Sequence, residues 1–421
     1  MASKRILLFF KAHWQIIFIL LVGAFLRLFR LRYLTTFAGD QGIDLLVVKR
    51  ILVDHQWTLL GPKTSIAPIF NGPAYYYLLL PFMAAFRLDP IGASYFMVLL
   101  YLGTIFLLYY FGQEFLTKKI GLLAAFFFAI WPVVVEYSRI SWCPFPTPFF
   151  VTLFLYGLFK FIRSKNYYWL ILSGFCWGIM MQLHYSNFFL GFLGFLWLLR
   201  QAENKIKAFL FFFGSFLIGF LPMIIFEVRH NFFNTRTLWL FLTQKGVPDF
   251  QWQLHYFISF FPVAFLLMGI FLDWVLRKSK LIGILLILLL VLLSLSQVNL
   301  FRKNGYTMPE GWNMIGVQKA AKIIVDDVRE NQENKYNIAA LLDGDTRAYP
   351  YRYFLEVMGQ KPMAVEEYPE AEVLYVVGKG NNASVLSYPV WELSSFLPAK
   401  VIKVWDIQNE VKLFKLVKKN D

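Results

Sequence analysis

The chain has 421 residues, of which 58% are hydrophobic and only 16% are charged, and its formal net charge is +15. Soluble globular proteins average about 45–50% apolar and about 25% charged residues, so a single water-soluble core cannot hold this much apolar surface. The whole excess of positive charge lies in residues 1–300, whereas residues 301–421 have as many acidic as basic residues. Because these cations are spread over many short loops, they favour lipid headgroups and membrane topology over a nucleic-acid partner.

Apolar segments indicate a mainly α-helical, polytopic transmembrane bundle. Ten such segments occur, at 14–31, 73–87, 92–112, 120–135, 146–162, 167–183, 187–199, 206–226, 256–275 and 281–300. Basic residues at the start of the chain and in four later loops predict an N-terminus on the cytoplasmic side and a C-terminal part outside, which requires an odd number of crossings. Nine crossings fit. The surplus segment is 73–87 or 92–112, and the shortness of 73–87, with Pro81 in its middle, favours the first.

The composition changes after residue 300, where Gly, Asn, Asp and Glu become more frequent. A helix-like stretch at 312–331 is followed by four short β-like runs, at 338–342, 373–377, 401–405 and 411–416. This pattern predicts a small extracytoplasmic α/β domain over 301–421. The transmembrane domain would then cover 1–300, with its first outer loop at 33–72.

The first outer loop holds the densest group of polar residues that burial in a membrane does not explain. Asp40 and Asp44 are four residues apart, so both carboxylates would lie on one face of a helix that begins near Asp40, although helix capping by Asp40 is an equal alternative. Lys63 follows a Gly-Pro pair in the same loop. Tyr75 and Tyr76 could line a sugar site or belong to an ordinary interfacial aromatic belt. Ionisable groups at a membrane face are costly, so they are candidates for function.

Further polar stretches are predicted on the same outer face. One contains Glu136, Arg139 and Trp142. The planar guanidinium of Arg139 suits a phosphate because it donates paired hydrogen bonds, but it could also pair with Glu136. His184, between two short helices, is either solvated or in contact with substrate, and the stretch 227–231 is either an anion site or a surface turn. Their shared face predicts a site with carboxylates, an Arg, a His and aromatic side chains.

The order of these elements resembles the GT-C glycosyltransferases, especially the protein O-mannosyltransferase and aminoarabinose transferase families (glycosyltransferase family 39-like). The resemblance covers roughly residues 15–200 and weakens beyond them. The residues that carry it are Arg27, Arg30, Asp40, Gly61-Pro62, Gly72-Pro73, Tyr75-Tyr76-Tyr77, Ser138-Arg139, Trp142 and Pro144.

The resemblance implies an inverting transfer of a sugar from a polyprenyl-phosphate-linked donor to an acceptor outside the cytoplasmic membrane. Asp40 matches the acidic residue that serves as the general base in the family. Many relatives have a Glu directly after it, where this chain has Gln41, and Asp44 is the available substitute. Relatives often have Asp or Asn where this chain has Cys143, which leaves Glu136 as the nearby carboxylate.

A departing lipid phosphate needs a cation that steadies its charge. Arg139 fits this role first, and His184 and Lys63 come next. A divalent metal ion could do the same, but the sequence establishes no cofactor. The expected partners are the polyprenyl-phosphate-sugar donor, the lipid bilayer, and a glycan, lipid or protein acceptor of the cell envelope. A transporter or flippase of lipid-linked sugars, and a non-catalytic envelope assembly protein, are the alternatives.

Overall fold

The computed structural model describes residues 2–64, 68–243, 253–342 and 344–419. Its helices are α1 Ala2–Leu28, α2 Leu31–Leu34, α3 Gly39–Val53, α4 Ala74–Ala85, α5 Ile91–Phe115, α6 Lys118–Ile130, α7 Pro132–Tyr137, α8 Thr147–Ser164, α9 Tyr168–Leu183, α10 Asn187–Gln201, α11 Lys205–Gly219, α12 Leu221–Arg229, α13 Phe233–Thr243, α14 Phe261–Lys278, α15 Lys280–Gln297, α16 Met314–Asn331, α17 Tyr349–Val357, α18 Asn382–Leu386 and α19 Trp391–Ser394. Its strands are β1 Tyr336–Ala340, β2 Val373–Lys379, β3 Ala399–Gln408 and β4 Val411–Lys418. In the described residues, 3-10 segments occur at Leu254–Phe260 and Tyr368–Glu370.

The predicted apolar segments all fall on helices, and the four β-like runs fall on the four strands. Among the described residues, three helical stretches are long and apolar enough to cross a membrane, namely α5, α15 and the stretch Leu254–Lys278 that ends with α14. The pair α11 and α12 meets the same criterion together, with a bend of 69° between the two helices. Shorter apolar helices occur at His13–Leu28, in α4 and in α9. That the chain crosses the membrane nine times stays a prediction.

The chain forms two compact units, each assembled from three segments. The first unit contains Met1–Phe29, Trp57–Leu80 and Tyr95–Asn299. The second unit contains Arg30–Gln56, Pro81–Ser94 and Leu300–Asp421. The helix α3, which the sequence placed in the first outer loop of a transmembrane domain, therefore packs in the same unit as the C-terminal residues.

Glycines allow close helix packing in the first unit. Gly174 and Gly178 are four residues apart on α9, a spacing that lets two helix backbones approach closely. A Cβ atom added at Gly174 would overlap the carbonyl oxygen of Phe212 on α11, and one added at Gly178 would lie 2.5 Å from the carbonyl oxygen of Phe216. The contact fixes α9 against α11 and so sets the position of the polar turn that follows α9.

The second unit is built on a four-stranded mixed sheet with the order β1-β2-β4-β3. β1 and β2 are parallel, and the other two pairs are antiparallel. One side of the sheet carries an apolar core that includes Leu374, Val376, Phe414 and Leu416. The helix α3 contributes buried Leu45, Val48 and Ile51 to the unit and packs against α17. The α/β character predicted for the C-terminal part is confirmed.

Candidate active site

A cavity of about 510 Å³ lies within the first unit. Its walls come from the loop before α4, the turns that follow α7 and α9, the start of α10, the region from the end of α11 to α13, and the 3-10 segment Leu254–Phe260. Most of the lining is apolar. The basic, acidic or amide side chains among the described lining residues are Lys63, Asn71, His184, Glu227, Asn234 and His255. Three residues chosen from the sequence, Lys63, Trp142 and His184, are therefore brought together here.

Glycines shape the loop that carries Lys63. Gly61 donates its N–H to the carbonyl oxygen of Asn71 over 2.8 Å, and a Cβ at Gly61 would overlap the carbonyl oxygen of Gly72. Gly72 in turn donates its N–H to the carbonyl oxygen of Gln182 at the end of α9 (3.0 Å). These contacts hold Lys63 at the cavity with an exposed side chain. No described carboxylate forms an ion pair with it.

His184 and His255 form a corner of the cavity. Their ring centroids are 6.0 Å apart in an edge-to-face arrangement, and the His255 ring also meets the Trp142 ring at 4.7 Å. The Nδ1 atom of His184 accepts a hydrogen bond from the backbone N–H of Ser186 (3.2 Å), which places the proton of a neutral ring on Nε2. Burial, with a smaller effect of His255, lowers the pKa of His184 to about 4. At neutral pH His184 is thus a hydrogen-bond donor and carries no positive charge.

The Glu227 carboxylate caps the N-terminal end of α13. Its carboxylate accepts hydrogen bonds from the backbone N–H groups of Asn234 (3.0 Å) and Thr235 (3.1 Å) and from the Thr235 hydroxyl (2.7 Å). The Asn234 side chain exchanges two hydrogen bonds of 3.2 Å with the backbone of Phe70. An acid at the first turn of a helix satisfies otherwise orphaned N–H groups. The first residue of the stretch 227–231 therefore has a structural role, which favours a surface turn over an anion site.

Arg139 is buried and does not line the cavity. Its guanidinium donates to the carbonyl oxygens of Leu26 and Arg27 (3.4 Å for the latter), in the last turn of α1. A cation at the C-terminal end of a helix is stabilised by the unpaired carbonyl groups there. The predicted role of Arg139 as phosphate ligand stays a prediction, and the contacts described here are those of a helix cap.

Tyr75, Tyr76 and Glu136 also lie away from the cavity lining. The Tyr75 hydroxyl is 2.7 Å from the Ser141 hydroxyl, and Tyr75 and Tyr76 are both buried. They therefore form neither an exposed aromatic belt nor a wall of this cavity. Glu136 is half-buried near the end of α7.

Asp40 and Asp44 lie on α3 in the second unit. The N-cap of α3 is Ala38, whose N–H donates to the Gln41 side chain (3.1 Å), so Asp40 does not cap the helix. Asp40 is exposed in the first turn and Asp44 is buried one turn later. Packing around the Asp40 carboxylate raises its pKa, the Asp345 carboxylate adds to the rise, and the Arg347 guanidinium opposes it.

Sequence reasoning missed His255 and Tyr256, which complete the corner around His184. His255 stands immediately before an apolar segment, and His184 stands immediately after one. The signal that pointed to His184 was therefore also present at His255. No group of three or more His, Cys, Asp or Glu side chains in the described part of the chain could hold a metal ion.

Comparisons with known proteins find a family that part of the chain resembles. Residues 70–226, less than half of the chain, match the family model described as dolichyl-phosphate-mannose-protein mannosyltransferase. A comparison with curated protein sequences finds no significant match.

The fold is similar to two solved membrane proteins. One is ArnT from Cupriavidus metallidurans bound to undecaprenyl phosphate, with a TM-score of 0.60 and 12% identity over 99% of this chain and 98% of that chain. The other is the archaeal oligosaccharyltransferase AglB from Archaeoglobus fulgidus, in complex with an inhibitory peptide and a dolichol-phosphate, with a TM-score of 0.54 and 11% identity over 92% of this chain and 72% of that chain. The family match over residues 70–226 and the shared fold confirm the resemblance seen in the sequence: part of this chain is similar to the mannosyltransferase family, and its fold is the mainly helical membrane fold of ArnT with a small C-terminal sheet.

Proposed function

We propose that the protein transfers a sugar from a polyprenyl-phosphate-linked donor to a hydroxyl or amine acceptor on the outer side of the cytoplasmic membrane. The cavity of the first unit carries this proposal. A donor of this class has an apolar chain and an anionic phosphate, and the cavity offers apolar walls together with the cation of Lys63. The undecaprenyl phosphate and dolichol-phosphate in the two similar structures support the same class of ligand.

The proposed reaction is a single displacement at the anomeric carbon. The acceptor oxygen or nitrogen attacks this carbon, the bond from the carbon to the phosphate oxygen breaks, and polyprenyl phosphate leaves with the bonding electrons. The proton of the acceptor goes to the Asp40 carboxylate. A base in hydrogen-bond contact with the acceptor is required because a neutral hydroxyl is a poor nucleophile. Attack opposite the leaving group inverts the anomeric centre.

Lys63 takes the role of the cation that steadies the departing phosphate. The sequence ranked Arg139 first for this role, but the Arg139 guanidinium bonds to the carbonyl groups at the end of α1. His184 is neutral at physiological pH, so it would contribute a hydrogen bond from Nε2 and no charge. Among the described residues that line the cavity, Lys63 is the only lysine or arginine. The acceptor in this proposal is a glycan, lipid or protein of the cell envelope.

Replacing Lys63 with Gln is expected to raise the KM for a polyprenyl-phosphate-sugar donor about tenfold, because a charge-assisted hydrogen bond to the phosphate contributes about 1.5–3 kcal/mol. The measurement is acceptor-dependent release of polyprenyl phosphate by the purified protein over a range of donor concentrations. Lys205→Gln, an exposed lysine at the start of α11, is the matched control and should leave the KM unchanged. Equal KM values for Lys63→Gln and the control would place the phosphate elsewhere.

The proposed orientation puts the N-terminus inside and the sheet of the second unit outside. The two natural cysteines, Cys143 and Cys176, are buried, so an introduced exposed cysteine is the main target for labelling. We expect Ala383→Cys, on α18, to react with a membrane-impermeant maleimide in intact cells. Lys205→Cys should react only after the membrane is permeabilised. The reverse pattern of labelling would invert the topology.

A further inference from the structure

The turn between β1 and α17 lies against the first turn of α3. A Cβ atom added at Gly39 would be 2.8 Å from the Cβ, Cγ and Oδ2 atoms of Asp345. A Cβ added at Gly42 would be 2.5 Å from the backbone nitrogen of Pro350. Both glycines flank Asp40, so the backbone that carries Asp40 is in direct contact with the C-terminal part of the chain. All of these residues belong to the second unit.

The Asp345 side chain is fixed at this contact. Its carboxylate accepts hydrogen bonds from the backbone N–H of Tyr349 (3.3 Å) and from Nε of Arg347 (3.2 Å). The Arg347 guanidinium also lies over the Tyr349 ring, 5.0 Å from its centroid. Thr346 anchors the turn, because its carbonyl oxygen accepts the N–H of Ala340 on β1 (3.1 Å). The described part of the turn thus presents the Asp345 carboxylate and the Arg347 guanidinium in a defined geometry beside α3.

We propose that Asp345 is a positioning residue for Asp40: its carboxylate, held beside the first turn of α3 by the C-terminal part of the chain, acts on the Asp40 carboxylate, and the Arg347 guanidinium opposes it. The inference rests on the proposed role of Asp40 as the general base. A neighbouring anion makes a carboxylate hold a proton more tightly, and a neighbouring cation has the opposite effect. Among the described residues, the charged groups that act on Asp40 are Asp345 and Arg347 on the turn, and Asp44 lies one turn further along the same helix. A stronger base accepts the acceptor proton more readily, provided that it is still ionised at the working pH.

Two variants should shift the pH dependence of kcat/KM in opposite directions. Asp345→Asn removes the anion, so Asp40 stays ionised to lower pH and the acid limb of the profile moves to lower pH. The plateau value of kcat/KM falls by less than about tenfold, because Asp40 becomes a weaker base. Arg347→Gln removes the cation, so the acid limb moves up. Asp326→Asn, an exposed carboxylate on α16, is the matched control and should move neither the limb nor the plateau. A role of the turn in folding alone would lower activity in both variants without opposed shifts.

A second measurement does not depend on sugar transfer. The protonation of Asp40 in the full chain can be titrated by infrared difference spectroscopy against Asp40→Asn, in the wild-type, Asp345→Asn and Arg347→Gln backgrounds. Opposed shifts of the Asp40 titration confirm the electrostatic coupling even if Asp40 proves not to be the base. Shifts in the same direction, or no shift beyond the control, overturn the inference. If Asp345→Asn does not fold, the test rests on Arg347→Gln, because Arg347 is exposed. An Asp40 pKa that is unchanged or lowered in Arg347→Gln would then overturn the inference.

Discussion

Replacing Asp40 with Asn is expected to lower the rate of sugar transfer by about 10²–10⁴-fold, which is the range that a general base contributes. The amide has nearly the shape of the carboxylate but cannot accept the proton of the acceptor. Asp40 is exposed in the first turn of α3, where the substitution leaves no buried group without a partner. The loss should therefore appear in kcat, with little change in the KM for the donor. The measurement is steady-state release of polyprenyl phosphate by the purified variant.

Asp54→Asn is the matched control for this result. Asp54 ends the same helix, is exposed, and pairs with Lys49 over 3.0 Å. The Asp54 carboxylate is exposed and Lys49 keeps its second partner Glu356, so this variant should keep the wild-type turnover. Wild-type turnover by Asp40→Asn would show that Asp40 is not the general base. Asp44 and Glu136 would then be the remaining candidates.

Replacing Gly174 with Ala is expected to destabilise the first unit by about 3 kcal/mol, the upper end of the usual cost of overpacking. The added methyl group would overlap the carbonyl oxygen of Phe212, which is a backbone atom and cannot rotate away. The helices α9 and α11 would have to separate along their whole contact. Since α9 leads directly into His184, donor binding should weaken in parallel. Thermal unfolding of the detergent-solubilised protein measures the first effect.

Gly214→Ala provides the same chemical change on α11 without the clash. Nothing lies within 4 Å of a Cβ atom built at Gly214. Alanine is the better helix former by about 1 kcal/mol, so this variant should unfold at the wild-type temperature or above it. Equal unfolding temperatures for the two alanine variants would mean that the glycine contact does not limit the packing of α9 on α11.

Much of the fold could be predicted because neighbouring residues decide it. The leucine-rich run of α15 and the β-branched run of β2 each indicate their structure by composition and period alone. The packing of α3 could not be predicted, because Gly39 and Asp345 are far apart in sequence and periodicity carries no information about a distant partner. The four-residue spacing of Gly174 and Gly178 predicts a close helix contact on α9, but it does not indicate which helix packs there.

The candidate site divides in the same way. Lys63, Trp142 and His184 were chosen because polar groups at a membrane face are costly, and all three line the cavity. Arg139 was assigned to a phosphate on the chemistry of its guanidinium. The carbonyl groups at the end of α1 accept hydrogen bonds from the same group, and nothing in the local sequence distinguishes the two partners.

The assembly of the second unit from three separate segments sets an order of events during synthesis of the chain. The helix α3 is made early, but α17, against which it packs, follows about 300 residues later. At about 5–20 residues per second, α3 waits roughly 15–60 s for its partner. The carboxylate of Asp40 therefore acquires its Asp345 and Arg347 neighbours only when translation is nearly complete. An unfinished chain in the membrane would hold its proposed base without these two neighbours, so the pH dependence of sugar transfer would reach its final form only once synthesis has passed Arg347.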